Sequence, residues 1–286
     1  MRLMPRSRQG WLRLLAFPFA AYLLIAPVAA FLGALPAASK LNGVPTYVVH
    51  GTEAHLNYGL MAVGLAGYVT IISAFVCVIR LYRYAGRVTK PVPGVSILII
   101  GATVLISGLA LFFPQILFAF WRSPAFWTGE WWRLVTPLFV QSEGWGQYVY
   151  NVLTALFLLP LAEKFYGKRL SVLYFVSGIL GSEVFFYAFY PDTNGAGSSV
   201  ANYGVMGGLF VFAFRHRQEL SRSTVVFVIS GLCPSFFLSF RQDVHGNGML
   251  LGALLACLMR SRVDTVPEAP PDMRGTMGTS LSPPAL

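Results

Sequence analysis

Eight runs of apolar residues, roughly 11–35, 57–79, 94–121, 146–162, 170–190, 198–214, 223–240 and 244–259, take up most of this chain of 286 residues. A helix needs about 20 apolar residues to cross the hydrocarbon core of a bilayer, and within that core each backbone amide must be satisfied by its own segment. Runs of this number and length predict an all-α bundle of membrane-spanning helices. Composition agrees: 56% of the residues are hydrophobic and 11% charged, against about 25% charged in an average soluble protein. A single soluble domain, a disordered chain, a collagen and a disulfide scaffold are excluded. Cys77, Cys233 and Cys257 are odd in number, lie in apolar runs and show no metal-ligand spacing, so they read as small packing residues.

The net charge of +10 would point to nucleic acid in a soluble protein, but here the placement of the charges carries the information. With the N-terminus on the cytoplasmic side, 17 of the 21 Lys and Arg residues fall on inside segments, leaving Lys40, Arg122, Arg133 and Arg241 outside. This bias predicts eight spans with both termini inside. The first run also resembles a signal peptide, with Ala-rich sequence near Ala37–Ser39. Its apolar stretch exceeds the usual core of about 7–15 residues, and a retained span is the reading adopted. Residues 263–286, rich in Pro, Gly, Ser and Thr, read as a disordered tail.

Polar groups in or near hydrocarbon are costly, so each is a functional candidate. Asn151, Ser199 and His245 lie near the outer ends of the fourth, sixth and eighth runs, and Gln147 sits one turn from Asn151. A nucleophile, a base and two amide donors at one depth is the set acyl transfer requires. Gly248 and Gly252 share a helix face with His245, and Gly204 and Gly208 form a second stripe of small residues. Such stripes let helix backbones approach closely, which would bring Ser199 towards His245. Each residue alone also has an ordinary structural role, and on the residues alone the two readings stand level.

Four motifs resemble those of the rhomboid intramembrane serine proteases. The loop after the third run reads Glu130-Trp131-Trp132-Arg133-Leu134-Val135-Thr136-Pro137, similar to the family's Trp-Arg followed by Leu-x-Thr-Pro. The fourth run carries Gly144-Trp145-Gly146-Gln147 and Asn151, with Glu163 twelve residues later. The sixth opens Gly197-Ser198-Ser199-Val200 and continues to Tyr203-Gly204-Val205-Met206-Gly207, similar to Gly-x-Ser-x and an aromatic-Gly-x-x-Gly. The eighth gives His245-Gly246-Asn247-Gly248 and then Gly252. The resemblance covers about residues 94–260.

It implies a six-helix rhomboid-like core over 93–262, preceded by an extension over 1–92 with two further transmembrane helices. It also implies a serine–histidine dyad without a third acidic residue: Ser199 as nucleophile and His245 as base, with Tyr203 against the histidine. Gly197, Asn151, Gln147 and the Ser199 N–H would surround the oxyanion. Trp132, Arg133, Glu163, Gly204, Gly248 and Gly252 would be structural, with Arg133 tying a loop that dips into the outer leaflet. Transmembrane proteins would be the substrates and the bilayer the surrounding partner, with no cofactor, metal or nucleic acid and an unknown oligomeric state. A bacterial inner membrane would suit such a chain.

The sequence departs from the family pattern at Gln147, where the family has His, at Gln141, at Leu159 and at Val200. Val200 would add bulk at the mouth of the site. These departures motivate a second reading, a pseudoprotease that binds transmembrane segments without cutting them. Trp131, Trp132 and Trp145 also fit an interfacial aromatic belt, and Glu183 reads as a hydrogen-bonded structural residue. A metalloprotease fares poorly, because His50, Glu53 and His55 lack the spacing of His-Glu-x-x-His.

Overall fold

The computed structural model describes residues 58–88, 94–240, 243–259 and 261. The expected first span, the His50–Glu53–His55 cluster and the tail over 263–286 lie outside the described residues. Helix α1 is Tyr58–Val88, α2 Val95–Phe112 and α3 the short Pro114–Phe120. After a loop of 3₁₀ turns come α4 (Trp145–Tyr166) and the rod α5 over 170–189, then α6 (Ser199–Arg215), α7 (Arg222–Phe240) and α8 (Val244–Leu258). The apolar run 94–121 is thus not one helix. Phe113 takes an extended conformation and Pro114 restarts the chain as the first residue of α3. Proline disfavours helix in the residue before it and suits the first helical position.

The described residues form an all-helical structure. Val69–Gly86, Val95–Phe112 and Trp145–Phe189 are stretches long and apolar enough to cross a membrane, while Ser223–Ser239 and Val244–Leu258 are shorter apolar helices. The outward faces are apolar too: Leu98 is 74% exposed, Leu105 63%, Phe236 64% and Leu258 79%. Large apolar side chains presented outward in this number belong in lipid, and the protein is an integral membrane protein.

Helix α6 is the centre. Every residue from Val200 to Ala213 is buried, with α4, α5, α7 and α8 packed around it. Its contact with α8 is made by glycines. A Cβ at Gly252 would overlap the Gly204 carbonyl, one at Gly207 the Met249 carbonyl, and one at Gly248 the Val200 carbonyl. The two backbones therefore touch, as the small-residue stripes predict. The partner on α6 differs in one position from the expectation. Gly207, not Gly208, faces α8 closely, while Gly208 looks towards Leu173 of α5.

Two polar devices fix the other helices. The Glu163 carboxylate, at the end of α4, accepts the backbone N–H groups of Gly94 (3.0 Å), Val95 (2.8 Å) and Ser96 (2.8 Å) and the Ser96 hydroxyl (2.5 Å). It thereby satisfies the orphan donors at the start of α2 and complements the dipole there. Helix α1 is stitched to the bundle by Thr70, whose Oγ1 donates to the Gly231 carbonyl (3.2 Å), and by Arg80, which reaches Ser223 and Thr224 on α7 at 2.9 and 3.0 Å. Ala74, Cys77, Val78, Leu81 and Ala85 of α1 join the same hydrophobic core as α4, α5 and α6.

Gly252→Ala is expected to destabilise the protein by about 1–3 kcal/mol, the range for overpacking a close contact. Gly101→Ala, where a Cβ meets nothing within 4 Å, is expected to be neutral or to stabilise by up to about 1 kcal/mol. Thermal unfolding in detergent distinguishes the two.

Candidate active site

The starts of α4, α6 and α8 converge at one end of the bundle. Ser199 is the first residue of α6 and His245 the second of α8. The glycine seam sets the register, and His245 Nε2 lies 2.9 Å from Ser199 Oγ. The Tyr203 ring, one turn along α6, sits 4.9 Å from the imidazole at 56°. Ser199 and His245 are half-buried, so the pair is reachable from outside. The first N–H groups of α6 have no partner within the helix, and its positive dipole end lies at Ser199.

The far side of the imidazole carries a group that the sequence reading did not find. Asp243 Oδ1 lies 2.7 Å from His245 Nδ1 and accepts the His245 backbone N–H at 2.9 Å. The resemblance implies no acidic third member, yet here a carboxylate occupies that place. Burial pushes the Asp243 carboxyl up, but the hydrogen bond from the ring, the charge of His245 and its backbone N–H outweigh burial and hold it below the usual carboxylate range. An ionised carboxylate only accepts, so Nδ1 carries the proton and Nε2 offers its lone pair to the Ser199 hydroxyl. An Asp immediately before an apolar run is a helix N-cap signal, and this signal could have located it.

A second polar group lies behind the segment that leads into Ser199. Asn151, fully buried, donates from Nδ2 to Gln141 Oε1 at 2.6 Å, and Gln141 Nε2 reaches Ser198 Oγ at 3.2 Å. Asn202 Nδ2 donates to the Asn151 carbonyl at 3.1 Å. Gln147 Nε2 donates to the Ala196 carbonyl at 3.2 Å and packs so closely on Gly197 that a Cβ there would lie 2.6 Å away. Ser198 and Asn202 are thus members of the network to which the sequence analysis gave no role, and Gln141, noted there only as a departure from the family pattern, joins Asn151 to Ser198. Each amide nitrogen of Asn151 and Gln147 has two N–H groups, and these bonds engage one of each.

Val200 is not at the mouth of the site. It is 3% exposed and packs against Gly248 and Gly181, because the residue after Ser199 already faces α8. A π-helical stretch, Ile179–Val184, widens α5 where α8 passes it, with Gly181 against the Gly248 backbone. Glu183 lies in that stretch and pairs with Arg122 at 3.3 Å, both nearly fully buried, while the Arg122 guanidinium rests 3.6 Å above the Phe186 ring. The Arg122 backbone exchanges hydrogen bonds with Gly195 at 2.8 and 3.3 Å, and Gly197 N–H donates to the Pro137 carbonyl at 3.0 Å. The segment before Ser199 is thereby held from both sides.

The remaining predicted residues lie away from the serine. Arg133 donates to the carbonyls of Phe118 (2.9 Å) and Trp121 (2.7 Å) and to Glu130 (2.6 Å), and Trp132 Nε1 to the Ala119 carbonyl (3.1 Å). Together they cap the end of α3, where carbonyls lack helical partners. Glu163 stands at the opposite end of α4 from Gln147. Trp127, Trp131 and Trp132 are exposed on the loop, as befits aromatic rings at a membrane interface.

Residues 128–262 match the family model for the Rhomboid domain. The chain is 31% identical over 158 residues to Rhomboid-like protease 3 of Toxoplasma gondii, a match covering 51% of this chain and 58% of that one. It is 32% identical over 134 residues to Rhomboid protease GluP of Bacillus subtilis, covering 45% and 26%. A further Bacillus subtilis protein, YdcA, named for the same family, is 31% identical over 136 residues, covering 46% of this chain and 68% of that one. The match therefore spans 58% and 26% of the length of the first two relatives.

Glu183→Gln removes the charge that faces buried Arg122 and is expected to lower stability by about 3–5 kcal/mol. Replacing Arg122 and Glu183 together by Leu is expected to recover most of that loss. Melting temperatures of the two variants in detergent check this.

Proposed function

This chain belongs to the rhomboid family, which includes relatives named as proteases, and from that premise we propose that it is itself an intramembrane serine endopeptidase. The substrate would be a transmembrane helix cut near the outer membrane face. The observation that carries this reading is the 2.9 Å contact between His245 Nε2 and Ser199 Oγ at the half-buried starts of two helices. We assign the protease unit to 93–262 and the eight-span, N-in and C-in topology to the whole chain. A bacterial inner membrane suits it.

The chemistry follows from the geometry. Ser199 Oγ attacks the scissile carbonyl carbon while its proton passes to His245 Nε2. The oxyanion that forms faces the Ser199 N–H and the dipole of α6, with the spare N–H groups of Gln147 and Asn151 as further donors. His245 then returns the proton to the leaving amine. Water later splits the acyl-enzyme by the same route.

Helix α6 has 17 residues. At 1.5 Å per residue it spans about 25 Å, less than a hydrocarbon core of about 30 Å. A serine at its outer start therefore lies below the membrane surface. A substrate helix shields its own amides, so it must unwind locally before attack.

Gln147 in place of His favours the competing reading, a pseudoprotease, because an amide cannot ionise near neutral pH. A fluorophosphonate probe decides between them. Purified wild-type protein is expected to label covalently, and Ser199→Ala to abolish labelling. His245→Ala is expected to slow it by about 10³-fold or more. Unlabelled, well-folded wild-type protein beside a labelled rhomboid control would overturn the protease reading in favour of the pseudoprotease.

A further inference from the structure

The geometry points to a third member of the catalytic arrangement: we propose that Asp243 positions His245 and stabilises its imidazolium, so that Asp243, His245 and Ser199 work as a triad. This inference rests on the protease reading above.

Three structural observations carry it. Asp243 Oδ1 is 2.7 Å from His245 Nδ1, while Nε2 of the same ring is 2.9 Å from Ser199 Oγ, so the three groups form one continuous hydrogen-bonded line. The carboxylate is not loose. The Asp243 backbone N–H donates to the Leu238 carbonyl at 2.9 Å, anchoring the residue to the end of α7. Its Oδ1 also caps α8 through the His245 backbone N–H at 2.9 Å. Finally, the Tyr203 ring lies against the imidazole at 4.9 Å between centroids, which leaves the ring's two nitrogens pointing at the two oxygens.

The chemical consequence is specific. Nδ1–H bonded to a carboxylate selects the tautomer whose Nε2 can accept the Ser199 proton. When Ser199 Oγ bonds to the carbonyl carbon, the Oγ–H bond breaks and that proton joins Nε2. The imidazolium so formed keeps Nδ1–H, and Asp243 stays ionised and faces the new charge. The carboxylate side chain is 26% exposed, so its contribution is screened and smaller than that of a fully buried acid. Asp243 touches no substrate atom and acts only through the histidine.

The competing explanation is a helix cap and nothing more. Asn and Ser both cap helices well, so Asp243→Asn and Asp243→Ser keep the cap and remove the charge. The measurement is the rate of fluorophosphonate labelling against probe concentration, with melting temperature in detergent measured alongside. Both variants are expected to melt close to wild type. Their maximal labelling rate should fall about 10- to 100-fold, the weight of a charge-assisted hydrogen bond. The probe concentration giving half-maximal rate should stay unchanged.

Wild-type protein that labels, with both variants labelling within about twofold of it, overturns the triad and leaves the protease reading standing. A fall in rate that comes only with a lower melting temperature and a raised half-maximal concentration also overturns it, in favour of the cap. Wild-type protein that does not label overturns the protease reading, and the triad with it.

Discussion

Backbone contact between α6 and α8 is the constraint on which the rest of the structure depends. Gly204 faces Gly252, Gly207 faces Met249, and Val200 faces Gly248, in each case with a carbonyl where a side chain would otherwise stand. In hydrocarbon, helices gain little from burying apolar surface against one another, since the lipid is as apolar as they are. Close van der Waals contact and polar ties must supply the association. Glycine on both helices gives the closest contact available, and closeness fixes register. A shift of α8 by one turn, about 5.4 Å, would carry His245 out of reach of Ser199.

Once that seam is set, the polar groups fall into two kinds. Glu163, Arg133 and Trp132 satisfy helix ends, so their work is architectural although they sit in motifs that resemblance singles out. The chain Asn151–Gln141–Ser198 and the pair Gln147–Ala196 instead hold the segment that delivers Ser199 to the start of α6. Buried amides of this kind stay only when bonded, because an unmet donor in a low-dielectric interior is costly. Each bond therefore also locates the next residue.

The Arg122–Glu183 pair works at the same level. Two buried charges gain little net stability, since desolvation offsets their attraction. What they supply is a definite position for the segment through Gly195 and for the π-helical widening of α5. That widening admits Gly248, and through it α8, to the place where His245 meets Ser199.

Much of this was legible in the sequence. Among the described residues the apolar runs from 146 onward match helices to within a few residues, while the run 57–79 continues as helix to Val88 and Pro114 breaks the run 94–121 in two. The glycine spacing predicted the α6–α8 contact, because a face repeating every three or four residues is a property of the chain alone. Ser199, His245 and Tyr203 were named from their motifs and lie together in the fold. What the sequence did not decide was direction. Val200 points inward, Gly207 takes the place expected of Gly208, and Gln141 sits at the centre of a network. Asp243 stands at the imidazole with its own N–H bonded to the Leu238 carbonyl. Such orientations depend on helix rotation and loop closure, which are set by packing between segments distant in sequence. The sequence by itself determined a membrane bundle with a serine and a histidine at one depth. Only the tertiary structure decided that a carboxylate stands behind that histidine, because hydrogen-bond geometry is settled by where backbones come to rest against each other.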